Sequence, residues 1–253
     1  LTLSIADFGN IATSYLSTEL NINHIREQVS AMIEAGTIPF IVGGDHSIMY
    51  PNVAAMSDKY GKSAFSVVQL DAHFNGSRGL DHYYSDVQSV SRLIEDQIIE
   101  PTNLIQVGLR GPSQDKEALE WLREIGVKYH TMVEVEEKGW ETVQSNTIAQ
   151  AKGTESTFVS FDMSVLDPAY APGAGRPIPG GLSILQARSL VRRLCAETKV
   201  IGFELLDVAP YLDTSYKTAL NANYIMHACL TGIAMRKQGI TGTNSLDPLA
   251  FQP

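Results

Sequence analysis

Polar side chains that can bind a metal follow short apolar runs at four places in this sequence of 253 residues. The four clusters are Gly43-Gly44-Asp45-His46-Ser47, Asp71-Ala72-His73-Phe74-Asn75, Asp162-Met163-Ser164 and Leu206-Asp207-Val208-Ala209-Pro210. Alternate residues of extended chain share one face, so Asp71, His73 and Asn75 are expected to point together if the strand stays extended. Imidazole and carboxylate groups suit divalent cations such as manganese, zinc or nickel. Two such ions could hold a hydroxide between them as a nucleophile near neutral pH.

The segments that position these clusters alternate between strand and helix patterns. Strands are predicted over residues 39–42, 64–70, 104–109, 157–161 and 200–205, and helices over 23–35, 49–60, 115–125, 141–152, 183–197 and 221–236. Successive apolar residues, as in Phe40-Ile41-Val42, indicate strands buried on both faces. The sequence therefore predicts one α/β domain over residues 1–253, a three-layer α/β/α arrangement with a mainly parallel sheet. The carboxyl ends of its strands would bring the four clusters to one edge.

Composition excludes several classes of function. Nineteen Lys and Arg against 28 Asp and Glu give a net charge of −9, which disfavours nucleic-acid binding. No stretch approaches the roughly 20 apolar residues that cross a bilayer, and no signal peptide is recognisable. Cys195 and Cys229 are expected to be buried, reduced thiols. A cytoplasmic protein without nucleic-acid or membrane partners is the expectation.

Five motifs taken together resemble the signatures of the ureohydrolase family, which includes arginase, agmatinase and formiminoglutamase. They are Gly43-Gly44-Asp45-His46-Ser47, Asp71-Ala72-His73, Ser160-Phe161-Asp162 with Leu166-Asp167-Pro168, Ala171-Pro172-Gly173 and Gly180-Gly181-Leu182-Ser183. The resemblance runs from about Ala6 to Ile233 and implies the arginase-like three-layer fold. It also implies hydrolysis of guanidinium or amidine C–N bonds at a binuclear manganese centre (nickel in a few members) and assembly into trimers or hexamers. Family members are usually longer at the N-terminus, so the first segment of the family is expected to be missing here.

The resemblance assigns metal ligands residue by residue, and two of them are changed. His46, Asp71, His73 and Asp162 match four ligands of the family. Asn75 and Ser164 stand where the family has aspartate ligands, so these two ligand positions are lost. Two divalent ions then keep only half of their carboxylate countercharge, and a buried charge imbalance costs several kcal/mol per ion. We therefore predict reduced or absent metal occupancy, or one ion whose shell water completes.

Two positions that act on substrate in the family also differ. Asp86 replaces a proton-shuttling histidine, for which the nearby His82 is a possible substitute. Asp207 replaces the glutamate that pairs with the guanidinium of the substrate, and about 1 Å of misplacement can cost roughly a hundredfold in rate. Arg78 follows the altered second motif; it is either a solvated loop residue or a guanidinium that replaces a metal ion beside Asp71 or Asp162.

Three functions fit this pattern. The first is a non-catalytic subunit that supports an active ureohydrolase paralogue in a hetero-oligomer, acting on a guanidino or amidine compound such as a biguanide. The second is an active agmatinase-like amidine hydrolase with one metal ion or a rebuilt site that uses His82, Asp86 or Asp207. The third is a sensor that binds a guanidino compound without turnover.

Overall fold

A six-stranded sheet, in the order β1-β6-β5-β2-β3-β4, forms the middle of the computed structural model, which describes residues 3–79, 85–112 and 116–242. The strands are β1 (Phe40–Val42), β2 (Phe65–Leu70), β3 (Leu104–Leu109), β4 (Lys128–Thr131), β5 (Ser156–Asp162) and β6 (Val200–Leu206). Every neighbouring pair is parallel, as the successive apolar residues predict.

Helices cover both faces of this sheet. They are α1 (Thr18–Glu34), α2 (Met49–Tyr60), α3 (Ser89–Glu95), α4 (Lys116–Glu124), α5 (Met132–Lys138), α6 (Trp140–Ala151), α7 (Ile184–Glu197) and α8 (Lys217–Lys237). Adjacent residues of β2 point into different cores: Val67 packs with residues of α1 to α4, and Val68 packs with residues of α6 to α8. The predicted three-layer α/β/α fold is confirmed.

The predicted elements are all present, with bounds that differ by a few residues. The helix predicted over 49–60 matches α2, whereas α1 begins earlier because the Ser17 hydroxyl accepts a hydrogen bond from Leu20 N and caps it. Strand β4 was missed because an edge strand with the sequence Lys-Tyr-His-Thr has no apolar run. Helices α3 and α5 were missed because seven residues are too few for a helical period to show.

The Gly43-Gly44 pair turns the chain sharply away from β1. Both glycines have positive φ, at 113° and 75°, a region that side chains with a Cβ rarely enter. Gly44 O accepts a hydrogen bond from Asp207 N at 3.0 Å, so the turn is joined to the end of β6. The following turn (His46–Ile48) then brings His46 over the carboxyl edge of the sheet.

Two further expectations concern the state of the cysteines and membrane-spanning helices. Cys195 on α7 and Cys229 on α8 are buried free thiols, with their sulfur atoms 3.2 Å apart. Among the described residues, no helix combines the length and the apolar character that a membrane crossing requires.

Candidate metal centre and its surroundings

His46, Asp71 and Asp162 meet at the carboxyl edge of the sheet. His46 Nδ1 lies 2.9 Å from Asp162 Oδ2 and 3.1 Å from Asp71 Oδ2, and all three side chains are buried. One ligand atom from each lies within 4.8 Å of the others. The strand order explains why these three side chains meet. Asp162 ends β5, and Asp71 follows β2, the strand beside β5. His46 follows β1, which β6 separates from β5. The structure thus brings together three of the four retained ligand positions.

His73, the fourth retained position, contacts the other oxygen of Asp71. Its Nδ1 lies 3.2 Å from Asp71 Oδ1, and its backbone N donates to the same oxygen at 2.8 Å. Asp71 therefore stands between two imidazoles, with Oδ2 toward His46 and Oδ1 toward His73.

The two altered positions both donate hydrogen bonds to Asp71. Asn75 Nδ2 donates to Asp71 Oδ2 at 2.6 Å, and Ser164 Oγ donates to Asp71 Oδ1 at 2.8 Å. An aspartate at either position would be an acceptor and would repel Asp71. Asn75 and Ser164 therefore direct N–H and O–H groups at the Asp71 oxygens, which the resemblance assigns to metal binding.

The side chains converge by a different route from the predicted one. The chain does not stay extended after β2 or β5: Asp71 Oδ1 accepts from His73 N, and Asp162 Oδ1 accepts from Ser164 N at 2.8 Å. These local bonds from an aspartate to the backbone two residues later turn the chain tightly. Asn75 has φ of 49°, a left-handed conformation that asparagine tolerates better than most residues.

A protonated His46 offsets part of the negative charge of the cluster. Burial lowers the pKa of the His46 imidazole, but Asp71 and Asp162 outweigh burial and raise that pKa to about 9. Burial opposes ionisation of Asp71, yet His46 and His73 hold the pKa of that carboxyl well below its usual range. A protonated His46 between two carboxylates is thus the favoured arrangement at neutral pH.

The donor set fits one divalent ion better than two. His46 Nδ1, Asp71 and Asp162 would hold an ion in place of the His46 proton, and such an ion would supply Lewis acidity and an activated water. A second ion beside Asp71 Oδ1 would meet His73 and the neutral Ser164 hydroxyl. On the other side, beside Asp71 Oδ2, Asn75 is neutral as well, and its buried Oδ1 has no hydrogen-bond partner among the described residues. Two buried ions would carry four positive charges against two carboxylates, which is costly.

A row of buried polar side chains crosses the sheet beneath the cluster, and sequence reasoning missed it. Glu204, Ser160, Gln69 and Gln106 are register partners on β6, β5, β2 and β3. The Gln69 amide nitrogen lies 3.0 Å from Asp71 Oδ2 and 3.2 Å from His46 Nε2, and Gln106 Nε2 donates to Gln69 Oε1 at 2.9 Å. The sequence signal for this row is a polar residue inside each apolar run.

Glu204 is the charged end of that row. Its Oε2 accepts a hydrogen bond from Asn52 Nδ2 at 2.6 Å, and complete burial raises the pKa of its carboxyl. Burial therefore disfavours a negative charge on Glu204 beneath the cluster.

Asp207 lies at the end of β6, but its carboxylate binds the chain itself. Its Oδ2 accepts a hydrogen bond from Gly175 N at 2.9 Å, and its φ is 63°. Burial, followed by repulsion from Asp162, raises the pKa of Asp207 to about 7. Asp207 lies near the cluster because it directly follows Leu206, the register partner of Asp162, and the loop carrying Gly175 occupies its acceptor oxygen.

Asp86 also meets a partner other than the cluster. Its Oδ2 lies 2.6 Å from Arg176 Nη2, so the position that the resemblance gives to a proton-shuttling histidine carries an ion pair. His82, its possible substitute, lies outside the described residues.

The hypothesis that the Arg78 guanidinium replaces a metal ion is wrong. Arg78 Nε donates to Glu95 Oε1 at 3.0 Å, and the guanidinium stacks over Trp121 with half of the side chain exposed. The Ser77 N–H donates to Val87 O, which directs the chain toward α3 and away from Asp71.

The fold and the cluster define the class: a parallel α/β/α protein with a histidine–aspartate site at the carboxyl edge of its sheet, as in the metal-dependent ureohydrolases. The chain belongs to the Arginase family, whose sequence pattern it matches over residues 1–232.

Individual relatives agree with this assignment. A guanidinobutyrase from Pseudomonas aeruginosa is 29% identical over 242 residues, a match that covers 93% of this chain and 74% of that protein. A guanidinopropionase from the same organism is 32% identical over 235 residues, covering 91% of this chain and 71% of that protein. The crystal structure of formimidoylglutamase from Bacillus subtilis superposes with a TM-score of 0.85 at 29% identity, covering 90% of this chain and 72% of that one.

Proposed function

We propose that this chain is a supporting subunit of a metal-dependent hydrolase that cleaves C–N bonds of guanidino or amidine compounds, biguanides among them. A paralogue with an intact pair of metal ions carries out the chemistry, and this chain is weak or inactive alone. The observation that carries the proposal is Asp71, whose two oxygens accept hydrogen bonds from Asn75 and Ser164. Both lost ligand positions have become donors to a retained one.

The energetics of the cluster support this role. To bind here, a divalent ion would have to displace the His46 proton. The attraction of protonated His46 to Asp71 and Asp162 would then be lost. The Asn75 and Ser164 hydrogens, which favour the metal-free carboxylate, would have to turn away. Manganese or nickel, the metals that the resemblance implies, is therefore expected at reduced occupancy or not at all in this chain.

An exposed apolar stripe supports assembly with other subunits. Tyr216, Leu220 and Tyr224 recur every four residues at the start of α8, so they share one face, and their exposed fractions are 74%, 67% and 45%. Tyr211 and Leu212, in the preceding turn, are also exposed. Contiguous exposed apolar surface is typical of interfaces. We propose a trimer or hexamer that contains the paralogue, in the cytoplasm.

The names of the relatives narrow the substrate class. Guanidinobutyrase, guanidinopropionase and formimidoylglutamase are named for small guanidino or formimino compounds. We propose a small guanidino compound as the substrate of the assembly.

One observation favours a second candidate, an agmatinase-like hydrolase with one metal ion. Among the described residues, His46, Asp71 and Asp162 form a three-ligand group of the right size. Three protein ligands with water in the open position are a common arrangement of catalytic single-metal sites.

Metal content and activity, measured together, separate the two candidates. The chain is purified alone and with a paralogue encoded beside it, and both are assayed for metal per chain and for hydrolysis of a panel of guanidino compounds. If only the mixture is active, and its activity survives Asp162→Ala in this chain, then this chain is a supporting subunit. Turnover by the isolated chain that Asp162→Ala abolishes contradicts it and supports the single-metal enzyme.

A further inference from the structure

The loop of residues 173 to 176 contacts both residues that the resemblance places against substrate. This 173–176 loop comprises Gly173, Ala174, Gly175 and Arg176. Gly175 N donates to the Asp207 carboxylate, and the Arg176 guanidinium pairs with Asp86. Two neighbouring residues of one loop thus occupy the partners that a guanidino ligand would otherwise meet.

The loop is seated tightly on Asp207. A Cβ built on Gly175 would lie 2.5 Å from Asp207 Oδ1, closer than real Cβ atoms approach. Only glycine fits this contact. Gly173 N also donates to Thr218 Oγ1 at 2.8 Å, and Gly173 O accepts from Ala209 N at 2.7 Å, so the loop is held at its first residue as well.

The Asp86–Arg176 ion pair crosses the carboxyl end of β5. The 173–176 loop is bonded to Asp207 at the end of β6. The turn carrying Asp86 is bonded to the segment after β2, because Ser77 N donates to Val87 O at 3.0 Å. Strand β5 lies between β6 and β2 in the sheet, and Asp162 is at its end. The ion pair therefore links the two sides of the cluster.

We propose that the 173–176 loop takes the place of a guanidino ligand in this chain's own pocket, with the Arg176 guanidinium held by Asp86 as a built-in substitute for that ligand. Arg176 then weakens the binding of guanidino compounds to this pocket. The chemistry matches, since arginine carries the planar, cationic group that defines the substrates of the family. This inference rests on the proposed function, because it explains how a non-catalytic pocket avoids competing with the paralogue for substrate.

The ion pair is partly exposed, with 46% of the Arg176 side chain and 32% of the Asp86 side chain accessible. Pairs of this exposure are weak, so removing the arginine leaves a folded chain and an available acidic site. Arg176→Ala opens a space of guanidinium size beside Asp86 that a small guanidino compound can enter.

Binding of methylguanidine to the purified chain tests the proposal. We expect the dissociation constant, measured by ligand-observed NMR, to fall by roughly two- to five-fold in Arg176→Ala relative to the unaltered chain. Asp86→Asn combined with Arg176→Ala should lose the gain, and methylammonium should show none of it. Arg176→Gln, which keeps more of the side chain, should give a smaller gain.

A matched control comes from an ion pair away from the pocket. Arg26 pairs with Asp58 at 2.7 Å between α1 and α2, and both side chains are partly exposed. Arg26→Ala should leave methylguanidine binding unchanged. Equal binding by the unaltered chain and by Arg176→Ala would overturn the proposal, as would a gain that persists in the Asp86→Asn double variant. Because the experiment needs neither metal nor paralogue, its failure is distinguishable from failure of the mixing experiment.

Discussion

Ser164 Oγ donates a 2.8 Å hydrogen bond to Asp71 Oδ1, joining the ends of β5 and β2 across the cluster. A serine hydroxyl can donate this bond, whereas the aspartate that the family has at that position cannot while ionised. Serine at this position, which the resemblance assigns to a metal ligand, therefore stabilises the metal-free carboxylate of Asp71. Asn75 makes the corresponding contact with the other oxygen of Asp71.

Restoring both carboxylates should exchange stability for metal affinity. In Asn75→Asp with Ser164→Asp, two donors to Asp71 become repelling acceptors, so we expect the metal-free variant to lose about 2–4 kcal/mol of unfolding free energy. Manganese should reverse the loss, because two ions then find four carboxylates. Thermal unfolding with and without manganese, together with metal analysis, measures both effects. A variant that is as stable as the unaltered chain without metal, and that gains none with it, would contradict this account of the cluster.

The pH dependence of stability should carry the signature of Asp207. The fold raises the pKa of this carboxyl from 3.8 to about 7, so between those values the folded chain binds more protons than the unfolded chain. Its contribution to stability is therefore present at low pH and disappears as the pH rises toward 7. Asp207→Asn, which can still accept from Gly175 N, should flatten this part of the unfolding profile.

Asp167 provides a control of opposite sign for that measurement. Hydrogen bonds from backbone N–H groups, Ala169 first, lower the pKa of Asp167, so its stabilising effect is present above the unfolded pKa and is lost as the pH falls. Asp167→Asn should reduce stability at neutral pH. It should leave unchanged the decrease of stability with rising pH that Asp207 causes. The same slope in Asp207→Asn and in the unaltered chain would show that Asp207 titrates normally.

The contributions of the hydrogen-bonded Gln69 and Gln106 to stability should not be additive. Gln69→Leu removes a donor from Asp71 and leaves Gln106 Nε2 with only one of its two acceptors, Phe74 O. We expect a loss of about 1–3 kcal/mol, because a buried carboxylate loses a hydrogen bond. The double variant with Gln106→Leu should lose less than the sum of the two single variants, since the two amides share one bond. Strict additivity in urea unfolding would contradict the coupling.

The apolar stripe of α8 should govern assembly. Serine at Tyr216, Leu220 and Tyr224 together should weaken association with the paralogue by at least about tenfold without lowering the thermal stability of the isolated chain, because these side chains are exposed. Sedimentation of the mixture measures the effect. Val133→Ser, an exposed apolar position on α5, is the matched control and should leave association unchanged. Intact complexes with all three serines present would place the interface elsewhere.

Arg78 shows where residue type and position in the sequence mislead. A guanidinium that follows the altered second motif suggests a substitute for the metal charge, yet Arg78 pairs with Glu95 and stacks over Trp121. Which carboxylate an arginine meets depends on the path of the chain after Asn75, and that path is set by bonds such as Ser77 N to Val87 O. Interactions between residues far apart in the sequence leave no local pattern.

The sequence by itself determined the layered fold and the edge at which the clusters meet. Those features depend on local properties, since apolar runs predict buried strands and the carboxyl ends of parallel strands share an edge. Only the tertiary structure decided what each changed side chain does. Asn75 and Ser164 are donors to Asp71, and Asp207 and Asp86 are both engaged by one loop. The physical reason is that hydrogen-bond direction and ion pairing depend on atomic positions set by packing of distant segments.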